Sequence, residues 1–351
     1  METQVVELCR AIDRNDLERV KTLMLQDPGL HRAPLGYADD GPLTMAAEWN
    51  FTGGWRDLMG NGAKRLAIVR WMIENGSDVH QGGDGPLMRA ALAGDRIPMM
   101  ELLVELGADV NAVWHGEFPI IFSPCEAVDP VALKWLLDHG ANPNCSDPLR
   151  KYPGTALDYV IGSYGRSPAL PACIEMLIAA GGTTSYGAAP VLDILCRRLD
   201  RLAAQLDAVS GLTGRQFPEL DFGTTGGRLL TLRGATLLHV AAEYQNLDAA
   251  TLLLNRDADV NARATVDGAG VGGQTAIFHA VTQNEDNGLP VARLLVDRGA
   301  DLSIRVKIPG HYERPEEVVE CTPLGYALRF GGEPGEKART LAFLRGAGAR
   351  E

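Results

Sequence analysis

Residues 234–262 read GATLLHVAAEYQNLDAATLLLNRDADVNA. Leu237, Leu238, Ala241 and Ala242 recur at helical spacing, and Thr236 before them offers a hydroxyl that can accept an otherwise unpaired N–H of the first turn. Asn246 sits where that helix must stop. Leu247, Ala250, Leu252, Leu253 and Leu254 form a second apolar face, and Asp257-Ala258-Asp259-Val260-Asn261 closes the stretch. Two helices this short expose an apolar face that neither can bury alone, so a second pair must stack beside them.

Equivalent stretches recur along the chain. Aligned on one position near the start of the first helix, they fall at Glu7, Pro42, Pro86, Pro119, Ala156, Pro190, Leu237, Ala276 and Pro323, with spacings between 33 and 47 residues. The shortest spacing is a repeat period and the excess is insertion. Residues 234–262 resemble the ankyrin repeat, whose pattern is Thr-Pro-Leu-His-x-Ala-Ala, then x-x-Gly, then a Leu-rich helix and Gly-Ala-Asp-Val-Asn. Thr236, His239, Ala241, Ala242, Ala258, Asp259, Val260 and Asn261 match, whereas Leu237, Asn246 and Asp257 replace a Pro and two Gly.

The resemblance covers nearly the whole chain. The second, third, seventh, eighth and ninth units carry specific motifs, the fourth and fifth are partial, and the first and sixth rest on periodicity and position. It implies an all-α ankyrin-repeat solenoid of about nine helix-turn-helix repeats with long fingers and loop insertions. The expected organisation is one domain over residues 1–351: an N-terminal cap repeat at 1–40, repeats two to six at 41–210, a long connection at 211–233, and repeats seven to nine with a C-terminal cap at 234–351. The sixth unit lacks Gly-Ala-Asp and precedes a Gly-rich connection, which predicts the weakest junction of the array there.

Composition narrows the function. A net charge of −12 with no Lys/Arg-rich run argues against nucleic acid as the main partner. No apolar run approaches the roughly 20 residues that span a bilayer, and the N-terminus has no signal-peptide pattern. The six cysteines are far apart and form no C-x-x-C. These features suggest a monomeric cytoplasmic protein with reduced thiols or, alternatively, a secreted bacterial effector without a visible signal peptide. Arg outnumbers Lys 27 to 6, in keeping with a GC-rich bacterial genome.

Chemistry is sparse. Gly268 to Gly273 satisfies G-x-G-x-x-G, but no βαβ unit surrounds it, so it reads as a connecting finger. The seven histidines show no metal-ligand spacing. His239 matches the motif histidine, which in ankyrin repeats ties a turn. No catalytic, cofactor or metal residue is assigned. The resemblance points instead to binding, because the residues after the Ala-Ala positions and the finger tips of ankyrin repeats face a concave groove. Here the pairs are Glu48-Trp49, Leu92-Ala93, Glu243-Tyr244, Thr282-Gln283 and Arg329-Phe330. Trp49, Leu92, Tyr244, Arg329 and Phe330 are candidate partner contacts, because aromatic and Arg side chains are the usual interface anchors. Trp114 and His115 form a second candidate patch on a finger, and Tyr312 a third on the finger from Ser303 to Cys321. The expected function is a non-catalytic protein–protein interaction module. The alternative is an enzyme or small-molecule sensor with a pocket near the sixth unit.

Overall fold

The computed structural model describes residues 2–48, 61–146, 154–162, 166–222, 228–311, 314, 316–330, 335 and 337–351. Trp49, Tyr312 and the insertion around Trp55 lie outside them.

The described residues are predominantly helical, and the helices come in pairs. They are α1 (Glu2–Asp13) and α2 (Leu17–Gln26), α3 (Pro42–Ala47) and α4 (Asn61–Glu74), α5 (Gly85–Ala90) and α6 (Ile97–Glu105), and α7 (Phe122–Ala127) and α8 (Pro130–Asp138). The next pairs are α9 (Ala156–Gly162) and α10 (Leu170–Ala179), α11 (Ala189–Leu195) and α12 (Leu199–Ala208), and α13 (Leu237–Glu243) and α14 (Leu247–Leu254). The last are α15 (Ala276–Ala280) and α16 (Leu289–Asp297), and α17 (Pro323–Arg329) and α18 (Ala338–Gly346). Two antiparallel hairpins stand between pairs: β1 (Val113–Trp114) with β2 (Phe118–Pro119), and β3 (Val306–Pro309) with β4 (Val318–Cys321).

Contacts gather into two compact units, residues 1–160 with 172–184, and residues 161–171 with 185–351. The first helices α1, α3 and α5 of the first unit pack in one row, and α2, α4 and α6 in another. Ala46, Ala47, Ala90 and Ala91 are fully buried, so backbones in the first row approach closely. Leu23, Ile68, Met72, Met99 and Leu103 fill the space behind them. The second unit repeats the scheme, with α11, α13, α15 and α17 in one row and α12, α14, α16 and α18 in the other. The sixth pair, α11 and α12, belongs to this unit and packs on α13 and α14.

One sequence register shifts, and one connection is packed. Repeat four was expected to open its helix at Phe118-Pro119, but those residues form β2 against Val113 and Trp114, and α7 starts at Phe122. The connection at 211–233 is no bare linker: Phe217, Leu220, Phe222, Leu230 and Leu232 are buried, and Phe217 bridges Ala235.

The closing turn has a direct physical basis. Gly107, Gly140, Gly181 and Gly299 end second helices in the left-handed region, with φ between 84° and 110°, and Asp257 does so at 59°. Two residues on, an Asp or Asn carboxyl or amide oxygen accepts the N–H two positions later, as Asp109 does from Asn111 and Asp259 from Asn261, both at 2.8 Å. The final Asn then spans to the next turn. Asn111 Nδ2 donates to Gly140 O at 3.1 Å while its Oδ1 accepts from Asn142 N at 2.8 Å. Asn144 does the same with Gly181 O and Thr183 N, and Asn261 with Gly299 O and Asp301 N. Asn111→Ala is therefore expected to lose about 1–2 kcal/mol of stability, two hydrogen bonds on an exposed turn, measured by urea unfolding. An unchanged midpoint would show that the rungs contribute nothing.

Candidate functional site

In the first unit the finger hairpin closes on a buried carboxylate. Asp40, 4% exposed, sits in the turn before α3. Its Oδ2 accepts from Trp114 Nε1, and its Oδ1 pairs with His115 Nε2 at 2.7 Å. The approach is possible because Gly82 lacks a side chain: a Cβ there would stand 2.6 Å from Asp40 Oδ1. His115 adopts φ 49°, and its N–H donates to Gly82 O at 2.7 Å, which fixes the finger against the preceding repeat.

Above this clamp lies an open aromatic surface. The Tyr37 ring packs 5.5 Å from that of Trp114 and is 47% exposed. The Arg89 guanidinium lies 4.2 Å over the Tyr37 ring, and its Nε donates to Glu48 at 2.6 Å. Trp114 is half-buried and His115 exposed. Stacking on one side and a carboxylate on the other hold Arg89 in place, so the patch is ordered before any partner arrives. The sequence placed Trp114 and His115 here but missed Tyr37, Asp40 and Arg89. The run Tyr37-Ala38-Asp39-Asp40-Gly41, acidic and aromatic directly before a helix start, was the available signal.

Leu92 is half-buried just past the end of α5. Arg329 is exposed and paired with Glu317, and Phe330 is half-buried with its ring 4.7 Å from that of Tyr326.

Tyr244 is a correction. It was expected to face solvent, but it is 7% exposed and its hydroxyl donates to Ile161 O at 2.7 Å. Its neighbour Glu243 is completely buried, and Thr282 and Gln283 are buried too. The cause is a charge cluster closed by two segments outside the repeat pattern. Arg228 Nη2 reaches both Glu243 oxygens, at 2.9 and 2.7 Å, and Arg166 Nη2 reaches Oε1 at 2.9 Å while its guanidinium stacks 4.4 Å over Tyr244. His279 Nδ1 stands 2.6 Å from Oε2. Burial pushes the Glu243 carboxyl up, but Arg228, Arg166 and His279 together outweigh it and hold the group well below the usual range. Burial lowers His279 against the pull of Glu243, so Nδ1–H donates to the carboxylate. The cluster fastens the connection and the loop before α10 onto α13 and α15. Beside it, Arg166, Ser167, Ile194 and Tyr244 line a cavity of about 60 Å³, which suits ordered water and falls short of a metabolite.

His239 has the role read from the sequence. Thr236 N–H donates to its Nδ1 at 3.2 Å, and its Nε2 donates to Gln274 O at 3.0 Å, tying α13 to the base of the next finger. Burial pushes this imidazole down to about 3.

Comparison with protein families finds ankyrin repeats, three copies, over residues 203–306, and a further ankyrin repeat over residues 82–114. The chain carries ankyrin repeats. The first match covers the helix pairs α13–α14 and α15–α16 and the turn containing Asn261; the second covers α5, α6 and the turn ending at Asn111. No curated protein matches the chain. No helix among the described residues is long and apolar enough to cross a membrane. Ankyrin repeats are in general protein–protein interaction modules and in general not catalytic, and this chain shares their helical repeat fold.

Proposed function

We propose that this ankyrin repeat protein is a non-catalytic module of nine repeats that holds a partner protein on its fingers and groove. The observation that carries the reading is the patch of Tyr37, Arg89, Trp114 and His115. It presents aromatic and arginine side chains to solvent on a rigid base, and that composition marks interface cores. Leu92 in the first unit, and Arg329 and Phe330 in the second, are further candidate contacts. The reading takes the protein as a cytoplasmic monomer that acts without a cofactor.

The test is affinity capture followed by measured binding of the captured partner. Tyr37→Ala with His115→Ala is expected to weaken that partner roughly tenfold or more. Because the variant also removes the His115–Asp40 pair, circular dichroism checks that the fold is kept, and Tyr37→Ala alone, at a side chain 47% exposed, is expected to weaken the partner in the same direction. Full retention of the partner by this variant would remove the patch from the interface.

A further inference from the structure

The second unit holds a cleft of about 460 Å³ that neither the repeat stack nor the charge cluster accounts for. Three insertions build it: the end of the long connection, the finger at 264–274, and β3. They are pinned to one another. Leu229 N donates to Gly310 O at 3.3 Å, Gly272 N to Lys307 O at 2.6 Å, and Gln274 Nε2 to Thr231 O at 3.1 Å. Two glycines allow the approach: a Cβ on Gly234 would meet Thr265 Oγ1, and one on Gly272 would meet Thr265 O. The G-x-G-x-x-G run thus serves as one wall of a preformed cleft.

Its lining has two characters. Leu229, Leu230, Val271 and Pro309 supply an apolar floor. Asp221 and Asp267 stand at the rim, both exposed. Each commits one oxygen: Asp221 Oδ1 accepts from Tyr186 OH, and Asp267 Oδ1 accepts Ala269 N and Val271 N at 2.9 Å. The second oxygen of each has no protein donor among the described residues. Arg233, also exposed at the rim, makes no side-chain bond among them either.

We propose that this cleft binds a segment of a partner polypeptide through a basic side chain, arginine or lysine, next to an acidic residue. The aliphatic stem of the basic side chain lies on the floor, its head pairs with the open oxygens of Asp221 and Asp267, and the acidic neighbour meets Arg233. The volume lies within the range of ligand sites. The net charge of −12 favours approach of a cationic segment. The inference rests on the interaction-module reading only in taking a polypeptide as ligand; it uses no residue of the Tyr37 patch.

The test uses the full chain and a fluorescent acetyl-Leu-Arg-Glu-Leu-amide peptide, read by anisotropy. The arginine peptide is expected to bind roughly tenfold more tightly than its neutral citrulline analogue. Asp221→Asn with Asp267→Asn keeps the Oδ1 contacts, so the melting temperature stays and the preference for arginine disappears. Equal affinity for the two peptides, or a preference that survives in the variant, would overturn the proposal. Displacement by spermidine at equal concentration would also overturn it, making the ligand a free polyamine. Tyr37→Ala with His115→Ala should leave peptide affinity unchanged, so failure of the cleft and failure of the patch give different results.

Discussion

Glu243→Ala is expected to lower the stability of the second unit by about 3–5 kcal/mol. The wild-type carboxylate is completely buried, and the Arg228 side chain is only 1% exposed. Removing the anion takes from the buried Arg228 the carboxylate that both its contacts to Glu243 depend on, and strands the Nδ1–H of His279. The expected loss is therefore a desolvation cost, larger than that of the hydrogen bonds taken singly. Two further variants separate the causes. Glu243→Gln keeps the shape and one acceptor but removes the charge, and should remain destabilised. Glu243→Leu combined with Arg228→Met and Arg166→Met removes both signs and should recover much of the loss, because buried ion pairs are often no better than apolar packing of similar volume. Urea unfolding of the full chain, followed by hydrogen exchange in α13 and α15, measures all three. A loss below about 1 kcal/mol for Glu243→Ala would mean that the cluster is open to water.

Acidification is the second large effect. His239 titrates near 3 in the folded chain, because burial penalises the cation first and His279 repels it second. His279 is lowered as well. In the unfolded chain both take up a proton near pH 6.5. Between that value and the folded pKa the unfolded state binds more protons, so stability falls as pH falls. From pH 7 to pH 4.5 His239 alone is expected to remove about 2–3 kcal/mol, at about 1.4 kcal/mol for each pH unit below 6.5. Glu243 acts in the same direction further down. Its folded pKa is depressed, so its contribution is complete above the unfolded carboxylate range and is lost below about pH 4. Urea midpoints at pH 7, 5.5 and 4.5 test the slope. A stability flat across that range would mean that His239 is charged when folded, against the acceptance of Thr236 N–H by its Nδ1.

The sequence was legible wherever one residue sets a local geometry. A glycine at the end of a second helix, an Asp two residues on and an Asn after that each have a single stereochemical job, and Gly107, Asp109 and Asn111 do those jobs where the pattern places them. His239 was legible for the same reason. The Trp114-His115 patch was half legible: its finger residues were visible, while Asp40, 75 residues before His115 in the sequence, was not. The charge cluster was invisible. Glu243 follows an Ala-Ala pair and so reads as a groove residue, yet its partners Arg166 and Arg228 lie 77 and 15 residues away in segments that carry no repeat pattern. Periodicity says which face of a helix points inward, not which insertion will cover the other.

The asparagine rungs have a consequence for how such a chain can change. Each one fastens the foot of a finger to the next helix end, whatever follows above it. The segment after Asn111 is a short hairpin, and the one after Asn261 carries the glycine-rich turn, yet the same two hydrogen bonds close both. Finger length is thereby decoupled from the stack. Loops can be lengthened, exchanged or grafted between units while the scaffold keeps its footing, so recognition can diversify without the fold having to be solved again.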